Sequence, residues 1–412
     1  MTETSCRIHR GCHEIGGNCV EIKSASGGRI LIDLGLRLAG ETSMPDVDGL
    51  LNTSTNLLGV FISHAHPDHY GLLDQVAQTT KVFIGETAKN IIAASDFFTP
   101  LPSLGNVETS PLVANETRQV GPFKLTPIPI DHSAFGSFCF LIEVDGKQIF
   151  YSGDIRAHGR KSHLFDNLVS APPSNIDVLI CEGTQIGRDP DFAFPDEKSV
   201  EDAFVSEFQK TKGMGLVWCS SQNVDRVIST YEAAKRTGRA LILDMYTAEV
   251  LRASGSSDVP SPDAKDVHVF LPRSQKSRIL REKRFDISKP YYPNRIYPEK
   301  LADTASTSVM IFRPSMLREL EKANCLLDST CISSLWAGYL KRDPEFLRKI
   351  KSLRIAHKHI HTSGHATVRE LERFIAAFPD SRIIPIHLQD RNGFVKMSDR
   401  VELKNDKEWW GI

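Results

Sequence analysis

The sequence has no run of about 18 consecutive apolar residues, the length that a membrane-spanning helix requires. Its first residues, MTETSCRIHRG, include no apolar stretch, so we expect no secretory signal peptide. The eight cysteines include no Cys-x-x-Cys pair, which excludes the common structural zinc motifs and argues against a disulfide framework. The net charge of −1 gives the whole chain no attraction for nucleic acid or an anionic membrane. These absences predict a reduced, cytoplasmic protein with no membrane partner.

The length and the apolar content of the chain are sufficient for more than one domain. At 412 residues, with 41% hydrophobic and 25% charged residues, two or three domains with sizeable cores are expected. Strand-like runs dominate the first 180 residues or so, which predicts packed sheets in a layered α/β domain. From about residue 198, helices alternate with apolar strands, which is typical of βαβ units and a parallel sheet. Further strands are expected at 325–331 and 352–355.

A dense cluster of potential metal ligands follows the apolar run that ends at Ile62. It comprises His64, His66, Asp68 and His69. Imidazole and carboxylate are the ligands that zinc and similar divalent cations prefer. In an extended segment the first two histidines point to the same side, and the intervening proline favours a turn that redirects the other two ligands. A surface histidine cluster is the ordinary alternative, but four potential ligands in six positions argue against it.

Four more candidates stand at the ends of strand-like runs: His132, Asp154, Glu182 and His387. The carboxyl ends of strands are where α/β folds collect their functional groups. Each residue has an ordinary explanation, because a lone histidine is usually a core or surface residue and Gly-Asp fits a simple turn. Their equivalent positions in the sequence nevertheless favour one shared site.

This combination resembles the metallo-β-lactamase superfamily, whose members use an HxHxDH loop, a distant histidine, a bridging aspartate and a final histidine. The resemblance implies two divalent metal ions, with zinc favoured and manganese as the alternative. Asp33, in the run Leu31–Gly35, matches an early aspartate of the family that is expected to brace the ligand loop. The implied ligands are His64, His66 and His132 for one ion, Asp68, His69 and His387 for the other, and Asp154 as the bridge.

The last third of the chain resembles one branch of that superfamily, the β-CASP nucleases, which include ribonuclease J and the pre-mRNA 3′-end-processing endonuclease. The segment His361-Thr362-Ser363-Gly364-His365-Ala366 is similar to their SGHA motif. In this resemblance Glu182 is the acid of motif A, His365 the histidine of motif B and His387 that of motif C. The run 220–226 is similar to the loop that opens the inserted domain of ribonuclease J. The motif A residues Glu182-Gly183-Thr184-Gln185 favour the compact bacterial or archaeal type. The sequence continues for only 25 residues after His387, so the C-terminal domain of ribonuclease J is not expected.

The resemblance implies a metallo-β-lactamase αββα sandwich at 1–208 and 352–412, interrupted by an inserted β-CASP α/β domain at 209–351. It also implies a nuclease that hydrolyses single-stranded RNA, with DNA as an alternative, exo- or endonucleolytically, through a water activated by two metals. The expected catalytic residues are Asp68, Glu182 and His365. The expected substrate-binding residues are Ser221, Asn223, Arg226, Ser363, Gly364 and His365.

The residues alone leave two other functions open. They also leave open whether the chain forms a homodimer. A small-molecule hydrolase of the same fold would act on a cyclic nucleotide, a lactone or a thioester, but the SGHA segment and the insertion count against it. A non-catalytic RNA-binding subunit is the second alternative, and the seven filled ligand positions count against that. The basic runs at 273–284 and 348–358 fit either solvated helix faces or a surface for nucleic acid.

Overall fold

The apolar runs of the sequence form three β-sheets in the computed structural model, which describes residues 3–38, 42–52, 56–188 and 194–412. Within these ranges the strands are β1 (Ser5–Arg10), β2 (Cys19–Lys23), β3 (Arg29–Ile32), β4 (Leu57–Ile62), β5 (Lys81–Gly85), β6 (Glu108–Leu112), β7 (Arg118–Val120), β8 (Phe123–Pro129), β9 (Phe138–Val144), β10 (Lys147–Tyr151), β11 (Val178–Glu182), β12 (Gly215–Trp218), β13 (Ala240–Asp244), β14 (Val267–Phe270), β15 (Arg295–Ile296), β16 (Ser308–Ile311), β17 (Thr330–Ser333), β18 (Ala356–His359), β19 (Arg382–Ile386) and β20 (Trp409–Gly411).

Helices connect most of these strands, and short 3₁₀ turns stand at 73–75, 289–294, 305–307 and 314–316. The described helices are α1 (Pro67–Tyr70), α2 (Glu86–Phe98), α3 (Ser162–Ser170), α4 (Glu197–Lys210), α5 (Val224–Arg236), α6 (Met245–Ser254), α7 (Arg273–Glu282), α8 (Phe285–Ser288), α9 (Pro298–Thr304), α10 (Leu317–Lys322), α11 (Ala337–Arg342), α12 (Pro344–Ser352), α13 (Val368–Ala376) and α14 (Arg391–Val395). None of these helices is long and apolar enough to cross a bilayer.

The chain divides into two compact units, and the first comprises residues 1–189 and 364–412. It contains two mixed sheets, with strand orders β20-β1-β2-β3-β4-β5-β6 and β19-β11-β10-β9-β8-β7. Apolar side chains from both sheets, such as Ile32 and Phe61 from one and Phe140 and Ile180 from the other, share one buried core. A second core lies between the β19–β7 sheet and helices α3 and α13, while α2 packs on β5. These helix, sheet, sheet and helix layers confirm the predicted metallo-β-lactamase sandwich.

The second unit, residues 190–363, is built on an all-parallel sheet. Its strand order is β15-β14-β13-β16-β12-β17-β18, and the intervening helices supply the side chains that cover the sheet. Parallel strands are buried on both faces, which explains why β12, β13 and β16 are continuous apolar runs in the sequence. The alternation of helices and strands from residue 198 onward therefore predicted this sheet correctly.

The boundaries of the second unit differ from the predicted 209–351. Helix α4 lies before residue 209 for most of its length, yet it packs on α5 of the second unit. At the other end, β18 lies beyond residue 351 and pairs in parallel with β17. Hydrogen bonding and helix packing between segments distant in sequence decided these boundaries.

Two predicted strands, at 325–331 and 352–355, are misplaced. The chain turns before β17, with Asn324 and Asp328 in the left-handed conformation (φ 53° and 52°) and Leu327 81% exposed. Residue 352 is the last residue of α12, and Arg354 (φ 57°) reverses the chain before β18 begins. Short apolar runs do not by themselves distinguish a strand from a helix end.

A buried ion pair joins α4 to α5 within the second unit. The Arg226 guanidinium donates to both carboxylate oxygens of Glu197, at 3.1 and 2.9 Å, and also to the carbonyl oxygens of Ser334 and Thr362. The Arg226 side chain is fully buried and that of Glu197 is 2% exposed. A buried pair of this kind is costly to break, because each charge depends on the other for its solvation.

Arg226→Ala should therefore lower the free energy of unfolding by about 3–5 kcal/mol, since Glu197 would be left as a buried, unpaired charge. Urea unfolding followed by circular dichroism measures this change. Arg236→Ala is the matched control on the same helix, because Arg236 pairs with Glu201 and Asp202 and its side chain is 43% exposed. We expect only a small change for the control. Equal losses in the two variants would contradict the structural role of Arg226.

Candidate metal centre

The HxHxDH loop begins directly after β4, and its ligands are placed by a tight turn. His64 is fully buried, and Pro67 occupies the first position of the short helix α1, where its fixed φ suits the helix start. Helix α1 carries Asp68 and the buried His69. The loop also lies close to the segment after β3, where a Cβ atom on Gly35 would stand 1.7 Å from the carbonyl oxygen of Asp68. Only glycine is compatible with so close an approach of the two backbones.

Asp33 holds this loop in place through four contacts. Its carboxylate accepts hydrogen bonds from the Ser63 backbone N–H (2.8 Å), the Ser63 hydroxyl (2.9 Å) and the Tyr151 hydroxyl (2.6 Å). It also lies 2.7 Å from Nδ1 of His69. The backbone of Asp33 is left-handed (φ 58°), which aspartate tolerates better than most residues. The bracing contact expected for Asp33 is therefore present, and it points Nε2 of His69 away from Asp33.

Asp154 lies at the centre of the ligand cluster. Its Oδ2 atom is 3.2 Å from Nε2 of His69 and 3.6, 3.7 and 4.0 Å from the Nε2 atoms of His64, His132 and His387. The Asp154 side chain is 1% exposed. Among the described residues neither of its oxygens has a hydrogen-bond donor, and the Nε2 atoms of His64, His69 and His387 are equally unpartnered. Buried polar atoms are normally satisfied, so this set is incomplete as protein alone.

The unpartnered atoms fit divalent metal ions. Each group of potential ligands brings its donor atoms within 4.8 Å of one another. Nitrogen and carboxylate donors of this kind suit zinc and related ions. The groups are His64, His66, His132 and Asp154; Asp68, His69 and His387; and Asp154, His365 and His387. The first group contains the three residues predicted for one ion together with the predicted bridge, and the second contains the three predicted for the other ion. The assignment of these residues as metal ligands stays a prediction.

The electrostatics of the cluster favour neutral imidazoles at several positions. Burial, reinforced by neighbouring histidines, holds the pKa of His64 well below its usual value. Burial also lowers the pKa of His132, and it lowers that of His66 to about 4 despite nearby Asp68 and Asp154. A neutral imidazole is the form that binds a metal. Burial opposes ionisation of Asp154, but the surrounding histidines, His387 first, hold its pKa well below the ordinary value.

Glu182 and His365 form a pair beside the ligands. Glu182 ends β11, and its oxygens lie 3.1 and 3.3 Å from Nδ1 of His365. Glu182 also accepts a hydrogen bond from the Ile155 backbone N–H at 2.7 Å, which fixes the carboxylate. Burial would lower the pKa of His365, but Glu182 and Asp154 outweigh it and raise that pKa above the usual value. The same Nδ1 atom is 3.8 Å from Oδ2 of Asp154, so the pair adjoins the candidate metal ligands.

Sequence reasoning missed several residues that orient the ligands. Nδ1 of His387 lies 2.9 Å from Oδ1 of Asn18. The backbone of His387 is left-handed (φ 53°). The fully buried Arg156 joins two ligand loops, because its backbone N–H donates to the carbonyl of Asp131 and its guanidinium to the Asp131 carboxylate. An Asn18–His387 contact spans 369 residues, so no local pattern signals it.

Three of the expected substrate-binding residues have structural contacts instead. Arg226 is fully buried against Glu197, so the prediction that it contacts substrate is wrong for this structure. Ser221 is 1% exposed, and its hydroxyl bonds to Thr247 and Arg313, so it is also structural. Asn223 is half-buried and caps α5 by accepting from the Arg226 backbone N–H. The resemblance of 220–226 to a ribonuclease J loop thus marks a helix start rather than exposed ligand groups.

Ser363 and Gly364 lie where the chain passes from the second unit into the first. Ser363 is 5% exposed. A Cβ atom on Gly364 would stand 2.5 Å from the Ser133 hydroxyl oxygen, next to the ligand His132. Gly364 therefore packs closely against a ligand loop, and a substrate contact by either residue stays a prediction.

Comparison with known proteins gives a consistent class. Residues 28–201 match the family model described as "Beta-lactamase superfamily domain". The chain is 22% identical over 381 residues to ribonuclease J of Sinorhizobium meliloti, covering 87% of this chain and 63% of that protein. It is 21% identical over 434 residues to cleavage and polyadenylation specificity factor 73 of Drosophila melanogaster, covering 91% and 58%. A probable RNase MJ4 of Methanocaldococcus jannaschii is 27% identical over 222 residues, covering 49% and 50%.

A solved structure supports the fold over the whole chain. A protein of unknown function from Enterococcus faecalis V583 superimposes with a TM-score of 0.80 at 19% identity, covering 100% of both chains. This chain spans 50–63% of the length of the curated relatives named above. The fold and the site therefore define a protein with a metallo-β-lactamase-type domain. More particularly, its resemblance to the β-CASP, ribonuclease J-like family is confirmed.

Asp33→Asn should weaken metal binding about 10- to 100-fold, the usual cost of losing a residue that orients a ligating histidine. Asparagine keeps the left-handed backbone and the side-chain volume but removes the charge that holds Nδ1 of His69. Competition with a chromophoric zinc chelator measures the affinity, and thermal unfolding checks that the variant folds. Asp166→Asn, at an exposed site paired only with Arg373 in the described contacts, is the control. An unchanged affinity in D33N would contradict the bracing role.

Proposed function

We propose that this protein is a metal-dependent nuclease that hydrolyses phosphodiester bonds of single-stranded RNA, exo- or endonucleolytically. The observation that carries the proposal is the buried, unpartnered carboxylate of Asp154 among the ring nitrogens of five histidines. The relatives named as ribonucleases support RNA as the substrate, although the chain spans only part of their length.

In this proposal seven residues hold two metal ions, with zinc favoured over manganese. They are His64, His66, Asp68, His69, His132, Asp154 and His387. Such ions, when bound, supply positive charge to a phosphodiester and a nucleophilic water at neutral pH. Asp154 bridges the two ligand sets, because its Oδ2 atom is within 4.0 Å of histidines from both. Asp68, whose Oδ2 is 3.7 Å from Nε2 of His387, is both a ligand and a catalytic residue in this proposal.

His365 is the proposed proton donor to the leaving oxygen. Its raised pKa keeps a larger fraction of the ring protonated near neutral pH. With Nδ1 directed to Glu182, transfer of the proton is assigned to Nε2. Glu182 stabilises the imidazolium and fixes the plane of the ring, so it acts through His365.

The wild-type chain should cleave end-labelled single-stranded RNA only when divalent metal is supplied, and Asp154→Asn should abolish cleavage. Elemental analysis should find two ions per wild-type chain and fewer in the variant, because the bridge contacts both ligand sets. The assay compares RNA, DNA, duplexes and cyclic dinucleotides with zinc and with manganese, and uses Asp166→Asn as the control. Turnover of cyclic dinucleotides alone would overturn the polymer nuclease in favour of a small-molecule hydrolase.

Glu182→Gln and His365→Ala should each lower kcat on RNA by about 10²- to 10⁴-fold, the usual contribution of general acid–base catalysis. Because the two residues act as one unit, the double variant should be about as impaired as the worse single variant. Metal content should stay at the wild-type level in all three proteins, which separates this effect from loss of the ions. Losses that multiply in the double variant would show that the two residues act independently.

A further inference from the structure

A positively charged surface with exposed aromatic rings lies on the second unit, outside the residues assigned above. We call it the basic-aromatic face and define it as residues 273–297, which form α7, α8, the 3₁₀ turn at 289–294 and β15. This segment has eight arginines and lysines against two acidic residues, although the whole chain has a net charge of −1. The positive charge is therefore concentrated locally, as a binding surface for a polyanion requires.

Buried side chains and hydrogen bonds anchor the basic-aromatic face to the rest of the second unit. Gln275 and Ile279 of α7 are buried, and Gln275 donates to the Asp244 carboxylate at 2.6 Å. Tyr291 is 3% exposed and its hydroxyl bonds to Glu249. Asn294 donates to the carbonyl oxygen of Pro262 at 2.9 Å. These anchors fix the backbone of the face before any ligand binds, which lowers the entropy cost of binding.

Three aromatic side chains project from this base: Phe285, Tyr292 and Tyr297 are 50%, 52% and 50% exposed. The Arg295 guanidinium carbon lies 4.8 Å from the ring centre of Tyr297 and 6.0 Å from that of Tyr292. Among the described atoms, the buried Nε of Arg295 has no hydrogen-bond partner. Two half-exposed tyrosines thus flank a cation, an arrangement that offers ring faces and positive charge together.

We propose that the basic-aromatic face binds single-stranded RNA, its phosphates beside the cations and its bases stacked on Tyr292 and Tyr297. This inference rests on the proposed function for the choice of RNA. Combined stacking and charge is how proteins bind bare strands without reading sequence. RNA is favoured over an anionic membrane because the Arg295 cation lies between two tyrosine rings, an arrangement suited to stacked bases and phosphates. Leu280 and Phe285 are exposed on the same face, so the vesicle measurement below tests the membrane directly.

The face is also separated from the strand that leads toward the SGHA segment. Strand β15 is at one edge of the parallel sheet and β18 is at the other edge. Six spacings of about 4.8 Å place these edges about 29 Å apart. The face and the strand that precedes the SGHA segment thus lie at opposite edges of the second unit's sheet.

Binding to a 20-nucleotide single-stranded phosphorothioate RNA, measured by fluorescence anisotropy on the full chain, tests the proposal. Removing both rings in Y292A/Y297A should raise Kd by roughly 5- to 150-fold per stacked base lost, while Y292F/Y297F should bind as the wild type does. The charge variant K276E/K289E should lower the slope of log Kd against log salt by about 1.4, the loss of two phosphate contacts on a single strand.

The controls distinguish this surface from the proposed active site. K212E/K322E makes the same charge change at exposed lysines elsewhere in the second unit and should leave RNA binding unchanged. All variants should hydrolyse bis(p-nitrophenyl) phosphate at the wild-type rate. Wild-type RNA affinity in Y292A/Y297A would overturn the proposal. It would also be overturned if K276E/K289E lost binding to phosphatidylserine vesicles but kept wild-type binding to RNA. If the expected RNA binding is found but the wild type cleaves neither RNA nor the ester, the nuclease proposal fails and the surface stands.

Discussion

The first unit is organised around a carboxylate that the protein itself does not satisfy. Asp154 is 1% exposed and has no hydrogen-bond donor among the described residues. A buried charge without compensation is among the least favourable features a fold can contain. Burial opposes a positive charge on His69 and His365, but nearby carboxylates, Asp154 among them, raise the pKa of each ring above its usual value. His64, His66 and His132 have lowered pKa values and contribute no charge, so divalent cations are the natural counterions.

The two packed sheets explain how ligands distant in sequence converge on this carboxylate. One sheet supplies the loop after β4, braced by Asp33 after β3. The other supplies residues that follow β8, β10 and β19 and the last residue of β11. Hydrogen bonds link the two systems. The hydroxyl of Tyr151 in β10 donates to Asp33, and the backbone N–H of Phe138 in β9 donates to the carbonyl oxygen of Ser63. The geometry of the site therefore depends on how the sheets pack as much as on the ligands themselves.

The features that were predictable from the sequence are those encoded locally. The HxHxDH loop and the residues at strand ends follow from short patterns, and the alternation after residue 198 predicted a parallel sheet. Asn18 and Arg156 were not predictable, because their roles depend on contacts that no local pattern encodes. Arg226 shows the opposite error. It lies in a motif that resembles a substrate-binding loop, but it is buried against Glu197, a residue that the resemblance placed in the first domain. The strand predicted at 325–331 was also misplaced, because the chain turns at Asn324 and Asp328 before β17 begins.

The order of the chain adds a constraint on how the site forms. Every proposed ligand, and both members of the Glu182–His365 pair, belong to the first unit, yet His365 and His387 follow the 174-residue second unit in sequence. Strand β19 pairs in parallel with β11, and that pairing brings His387 beside Glu182 and the ligands of the N-terminal segment. The capping box of Thr367 and Glu370 starts α13 directly after His365, and the Ala366 N–H donates to the carbonyl of Ile155. Closing a loop of this length costs entropy that grows only slowly with the number of residues, so a large insertion is compatible with a precise site. The segment after residue 363 thus completes both the β19–β7 sheet and the cluster of proposed ligands, which couples formation of the site to completion of the fold.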